Sequence, residues 1–159
     1  MTMTLNDLDY VRQTVRQVPD FPKPGILFLD ITTATKDAKS MNLMIDFLFE
    51  KFKDENIDYV AGIESRGFIF GAPLACRLNA GFIPIRKPNK LPADTIKESY
   101  SLEYGTDTIE MHADALKEGD RVLIVDDLLA TGGTIGAAVE LISSLGAEVV
   151  GCAFVIELT

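Results

Sequence analysis

The sequence predicts an α/β fold: an open, mostly parallel, twisted sheet with helices on both faces, together with a mobile lid or hairpin. Three observations carry this. Tyr59–Ile63, Phe82–Ile85, Val122–Val125 and Ala147–Ile156 are largely apolar runs of the kind buried on both faces of a parallel sheet. Segments with helical spacing of apolar residues separate most of them, the order expected of βαβ units. After Ile63, and again after Val125, the chain passes through a polar, glycine-bearing turn into a helix. Open α/β sheets collect their ligands at such turns.

At 159 residues the chain has room for a sizeable core and is read as one domain, residues 1–159. Its 47% hydrophobic and 25% charged residues exclude a disordered chain. A net charge of −9 disfavours binding of long nucleic acid, while leaving Lys and Arg clusters for small phosphorylated substrates. The two cysteines, Cys76 and Cys152, each sit in an apolar run and read as core filling in a reducing compartment. No apolar run is long enough for a membrane span, and the N-terminus lacks a basic-then-apolar signal, so the expected location is the cytoplasm.

Taken in order, Thr4 is placed to cap a helix carrying Leu5, Leu8, Val11, Val15 and Val18, which Pro19 ends. Pro22, Pro24 and Gly25 force an extended turn that leads into a strand over Ile26–Ile31. Ser40 begins a helix whose Leu43, Met44, Phe47, Leu48 and Phe52 form a core face. Beyond the strand Tyr59–Ile63 and the turn Glu64, Ser65, Arg66, Gly67, a helix reaches about Leu78, with Pro73 tolerated near its start. From Arg86 to Tyr104 the composition turns basic, then mixed, with two prolines and little periodicity. A stretch of that length suggests a mobile loop or hairpin lid, residues 86–105, that would exclude water from a reactive centre. Asp107–Met111 alternates and would pair back onto the lid's exit. His112, the one histidine, has no Ser, Cys or second His near it to form a catalytic or metal constellation. Lys117–Asp120 turns into the central strand, and Gly136–Leu145 reads as the helix after it.

The chemistry is concentrated in RVLIVDDLLATGGTIG, from Arg121 to Gly136. Asp126 and Asp127 follow a buried strand, and Ala130, Thr131, Gly132, Gly133 and Thr134 make a loop with little side-chain bulk. Its free N–H groups, two hydroxyls and the following helix N-terminus suit a phosphate. Two carboxylates beside a phosphate would repel it unless hydroxyl donors or a divalent cation lay between them, a condition met by a phosphorylated sugar diphosphate with Mg²⁺. Arg66, at the other strand-to-helix turn, marks a second anion site. Two such sites on neighbouring strands fit a ligand with two phosphate groups.

VLIVDDLLATGGT resembles the phosphoribosyl-diphosphate (PRPP) signature of the type I phosphoribosyltransferases. The resemblance implies that fold, with Asp126 and Asp127 on the ribose hydroxyls and Ala130, Thr131, Gly132, Gly133 and Thr134 on the 5′-phosphate. It assigns pyrophosphate to Glu64, Ser65, Arg66 and Gly67, with a non-proline cis peptide between Glu64 and Ser65. Arg86, Lys87 and Lys90 join them, in trans in a homodimer, although those charges read equally as a solvated face. Mg²⁺ is the implied cofactor, held through PRPP and pyrophosphate rather than directly by the protein.

DFPKPGILFLDI, GIESRGFIFGAPLA, and IRKPNKLP followed by SYSLEYG resemble the adenine-specific branch, over about Asp20–Glu157. The implied reaction joins adenine and PRPP to give AMP and pyrophosphate. Glu103 is the implied general acid or base, acting with Arg66, Asp126 and Asp127, and Tyr104 closes the lid. Leu27, Phe28, Leu29, Arg66 and Leu128 are the implied adenine contacts. Relatives often carry Arg at the position of Leu29, and enzymes for 6-oxopurines usually carry an acid in place of Ala130 and Lys in place of Gly133. The alternatives are a 6-oxopurine or xanthine phosphoribosyltransferase and a non-catalytic PRPP-sensing regulator.

Overall fold

In the computed structural model, which describes residues 3–102 and 104–157, the chain forms two units, Met1–Lys51 and Phe52–Thr159. The first opens with α1 (Leu5–Thr14), and Thr4 caps it as expected. Its hydroxyl accepts from the Asp7 N–H at 3.2 Å while the Asp7 carboxylate accepts from the Thr4 N–H at 3.0 Å. The helix does not reach Pro19. Val15 is already extended, and Arg16–Pro19 form β1, antiparallel to β2 (Leu27–Asp30) with Val18 opposite Phe28. The helical spacing of Val18 is thus overridden by cross-strand pairing, which suits a β-branched residue. A short α2 (Thr32–Lys36), not foreseen, starts where the Asp30 carboxylate accepts from the Thr32 N–H and hydroxyl. The next helix, α3 (Ala38–Phe52), begins before Ser40 because Asp37 accepts from the Ser40 N–H at 2.8 Å.

The second unit continues through β3 (Tyr59–Ile63), α4 (Arg66–Leu78), β4 (Gly81–Ile85), β5 (Thr95–Leu102), β6 (Gly105–His112), β7 (Arg121–Leu129), α5 (Gly133–Ser144) and β8 (Glu148–Glu157). Its sheet has the order β4-β3-β7-β8, with every pairing parallel. The strand alternation separates two faces. Ala61, Ile63, Ile83, Ile85, Val122 and Ile124 pack with Ala137, Ala138, Leu141 and Ile142 of α5 and with Ile109 and Met111 of β6. The opposite face receives α4: a Cβ on Gly71 would stand 2.9 Å from the Phe82 ring, with Gly62 and Val60 in ordinary contact behind it. Val122, Leu123, Ile124 and Val125 are therefore fully buried from both sides.

Several expectations need correction. Pro73 lies in the interior of α4, not near its start. The helix runs through it, although a proline there gives the Ile69 carbonyl no helical donor; the fully buried Phe70 and Leu74 pin it to the sheet. Cys76 and Cys152 are exposed free thiols rather than core filling. Cys76 is on α4 just past its buried Ala75, and Cys152 is on the edge strand β8, which has a neighbour on one side only. The stretch after β4 is not without structure, because its second half is β5. This strand pairs with β6 from Thr95↔His112 to Leu102↔Gly105, so the stretch ends in a hairpin, and Asp107–Met111 does pair back. Backbone bonds between Arg86 and Glu110 tie β6 to the exit of β4. His112 ends that hairpin, with Nε2 buried and lacking a hydrogen-bond partner among the described residues.

Candidate active site

β3 accompanies β7 only as far as Val125, where the chain on that side turns into α4. β7 continues past Val125 beside β8 alone, with Asp126 opposite Phe154 and Leu128 opposite Ile156. Asp126 and Asp127 thus lie within the strand, which runs four residues beyond its expected end at Val125 because β8 is longer than β3. The start of α4 is pressed against this extension: a Cβ on Gly67 would stand 2.6 Å from the Val125 carbonyl oxygen and 3.3 Å from Asp126 Cα. Gly67 accordingly serves as a close-approach residue, and the approach delivers its neighbour Arg66 to the acids. Arg66 Nε is 2.7 Å from Asp127 Oδ2.

Asp127 is buried, 5% exposed, and its N–H donates to Asp126 Oδ1 at 2.8 Å. The Asp126 carboxyl is pushed up to about 7, chiefly by burial. The charge of Asp127 adds to the rise, while the Asp127 N–H and Arg66 oppose it.

The phosphate loop leads into α5, which starts at Gly133 rather than Gly136, with Gly132 at φ +87° as its N-cap. That left-handed conformation is open to glycine at little cost. Neither α5 nor α4, whose N-cap is Ser65, has a side-chain cap, in contrast to the capping box of α1. First-turn N–H groups are thereby left for an anion at both helices of the site. A cavity lined by Leu128, Leu129, Ala130, Thr131, Gly132, Gly133, Ile135 and Phe154 lies at α5. A second, lined by Ile63, Glu64, Ser65, Lys87 and Tyr100, lies at α4. Both are also lined by Arg66, Asp126, Asp127 and Thr134. The Glu64–Ser65 peptide is cis, as expected.

The basic residues after β4 are gathered by acids. Glu64 accepts from the Lys87 N–H at 2.9 Å and from Arg86 Nε at 3.2 Å, with Lys90 Nζ 3.7 Å away. Burial alone would raise the Glu64 carboxyl, but these donors outweigh it and hold it below the usual value. The Lys87 ammonium pairs with Asp107, which also accepts from the Tyr100 hydroxyl at 3.1 Å. Burial works against the charged lysine, yet the Asp107 bond prevails and raises its pKa. The same bond, first among its causes, lowers that of Asp107.

The structure thus assembles Glu64, Ser65, Arg66, Lys87, Asp126, Asp127, Leu128 and the loop 130–134 around the joined cavities. Arg86 and Lys90 meet Glu64. Tyr104 is 82% exposed at the hairpin turn, and Glu103 falls outside the described residues. Leu27, Phe28 and Leu29 belong to β2 in the first unit, where Phe28 meets Phe21 edge-on at 5.1 Å. Tyr100, Asp107 and Phe154 were not foreseen as site residues. A signal for Tyr100 existed: Ile96, Glu98 and Tyr100 alternate with the more exposed Lys97 and Ser99.

Acids on an over-long central strand, flanked by two uncapped helix starts, make an arrangement that can receive an anion at either helix. Residues 32–158 match the phosphoribosyl transferase domain, and the chain belongs to that family. Within it, the chain is 55% identical to an adenine phosphoribosyltransferase of Escherichia coli O157:H7 over 158 residues, 99% of this chain and 86% of that protein. The crystal structure of adenine phosphoribosyltransferase from Rhodothermus marinus DSM 4252 is 55% identical, with a TM-score of 0.91 over 98% of this chain and 88% of that one. That of Saccharomyces cerevisiae, complexed with D-2,5-dideoxy-2,5-imino-altritol 1,6-bisphosphate and adenine, is 40% identical, with a TM-score of 0.91 over 98% and 90%.

Proposed function

We propose that this protein transfers the 5-phosphoribosyl group of PRPP to adenine, forming AMP and releasing pyrophosphate in purine salvage. The observation that carries the reading is the pair of cavities, each at an uncapped helix start, that share Arg66, Asp126 and Asp127. The bisphosphate and adenine held by the yeast relative support it.

In this reading the loop 130–134 anchors the 5′-phosphate, and Asp126 and Asp127 accept hydrogen bonds from the ribose hydroxyls. As the bond from the anomeric carbon to pyrophosphate lengthens, positive charge grows on the ribose, as in glycoside cleavage. The carboxylates are placed to favour that charge, and Arg66 and Lys87 to favour the departing diphosphate. Ser65 and Gly67 contribute backbone at the same turn, with Glu64 holding Arg86 and Lys90 beside it. Glu103 is the proposed proton donor or acceptor toward the purine, with Tyr104 closing the lid. Leu27, Phe28, Leu29 and Leu128 are the proposed base contacts, together with Arg66.

Mg²⁺ suits the donor set. Among the described residues no group of three or more His, Cys, Asp or Glu side chains could hold a metal. Mg²⁺ is commonly held by substrate phosphates and water with little help from the protein, so it would be held here mainly through PRPP and pyrophosphate, leaving Asp126 and Asp127 to the ribose hydroxyls. When bound, it neutralises diphosphate charge and so improves the leaving group.

The proposal further takes residues 1–159 as one functional domain, which the family match supports by spanning parts of both units. The proposed assembly is a homodimer in the cytoplasm; a monomeric mass by light scattering would contradict the assembly. The test of function is an ultraviolet assay with PRPP and Mg²⁺ that offers adenine, hypoxanthine, guanine and xanthine separately. Adenine is expected to be consumed fastest, with turnover abolished by a chelator and restored by Mg²⁺. Faster turnover of any other base would overturn the assignment.

A further inference from the structure

Tyr100 stands where three parts of the site meet. Its ring lies on the phosphate loop: a Cβ at Gly133 would be 3.2 Å from Tyr100 Cδ2 and 3.6 Å from the Ser101 carbonyl oxygen. Its hydroxyl donates to Asp107 Oδ2 at 3.1 Å, and the same carboxylate oxygen pairs with Lys87. Tyr100 and Asp107 face each other across the hairpin, so the backbone register of β5 and β6 fixes their meeting. Tyr100 and Lys87 line one cavity with Ser65 and Arg66. Lysine is a point charge on a flexible stem and reaches a defined place only if something holds it there. A tyrosine, with two side-chain torsions, is a rigid support.

We propose that Tyr100 is a positioning residue for both ends of the substrate. Through Asp107 it sets Lys87 at the pyrophosphate end, and through its ring it holds Gly133 at the ribose-phosphate end. The inference rests on reading the joined cavities as the PRPP site. It also gives a physical reason for glycine at position 133, since a Cβ there would press on the Tyr100 ring and require it to give by a few tenths of an ångström.

The two contacts can be separated, because Tyr100→Phe keeps the ring and removes the hydroxyl, whereas Tyr100→Ala removes both. Titration calorimetry with Mg²⁺, using pyrophosphate and ribose 5-phosphate as separate ligands, reads the two ends. Tyr100→Phe is expected to weaken pyrophosphate about three- to tenfold, the scale of one net hydrogen bond lost, and to leave ribose 5-phosphate unchanged within about twofold. Tyr100→Ala is expected to weaken both ligands. In an Asp107→Ala background the Tyr100→Phe change should have no further effect on pyrophosphate, because the side-chain acceptor of the hydroxyl is already gone. A purely structural role would not divide the two ligands in this way. Unchanged pyrophosphate affinity in Tyr100→Phe, equal losses for both ligands, or an undiminished effect in the Asp107→Ala background would each overturn the inference while the PRPP reading stands. Wild-type protein that binds neither ligand would overturn that reading and this inference with it.

Discussion

Gly67→Ala tests whether the acids and Arg66 are brought together by the approach of α4 to β7. The new Cβ would stand 2.6 Å from the Val125 carbonyl oxygen, with Asp126 Cα and Oδ1 each at 3.3 Å. The first contact is short by close to 1 Å against an ordinary separation of about 3.5 Å. The obstacle is backbone of a strand buried on both faces, so it cannot swing aside as a side chain would. The start of α4 must withdraw instead, and it takes Arg66 away from Asp127. Overpacking of this kind costs about 1–3 kcal/mol, which lowers Tm by several degrees in a chain of this size. Displacement of reacting groups by about 1 Å costs on the order of 100-fold in rate. Thermal melts followed by circular dichroism, together with kcat and KM for PRPP, measure both effects. The expected result is a folded protein with a modestly reduced Tm and a far larger loss of kcat/KM. A variant with wild-type Tm and wild-type kcat/KM would refute the argument that this glycine sets the approach.

The pH dependence of stability should depend on Asp126. Its folded pKa of about 7 lies above the ordinary carboxylate value of about 3.9, so protonation favours the folded state. That contribution is complete below about pH 4 and is lost as pH rises through about 7. Asp126→Asn, which cannot ionise, should therefore gain Tm relative to wild type between about pH 5 and 8, and a difference independent of pH would exclude the effect. Replacing Asp126 and Asp127 together by Asn should lower turnover by about 100-fold or more at preserved far-ultraviolet circular dichroism; near-normal turnover would contradict their roles. Arg66→Met leaves the buried Asp127 without its ion pair. Because the arginine side chain is 44% exposed, the expected cost is about 1–2 kcal/mol, below that of a fully buried pair, as measured by denaturant titration. Thr4→Ala removes the side-chain acceptor of the α1 capping box and should cost about 1 kcal/mol with no change in KM for PRPP.

Much of the second unit was legible because its signals are local. An unbroken run such as Val122–Val125 can be satisfied only by burial on both faces, and a loop as small as 130–134 before a helix leaves N–H groups for an anion. The first unit was less legible. Val15 and Val18 have helical spacing, and only the pairing of β1 with β2 takes Val18 out of the helix. The cysteines misled for a similar reason, since apolar neighbours in sequence do not say that β8 lies at the sheet edge.

By itself the sequence determined the alternation of strands and helices, the acid pair, the small loop and the second cationic turn. Each of these is a property of a few consecutive residues. Only the tertiary structure decided that Gly67 lets α4 lie against β7, that Asp107 pairs with Lys87, and that Tyr100 rests on Gly133. Those contacts join residues 20 to 58 positions apart, as with Lys87 and Asp107 of β6 or Gly67 of α4 and Val125 of β7. Their distances follow from strand order and register, which no short window of sequence encodes.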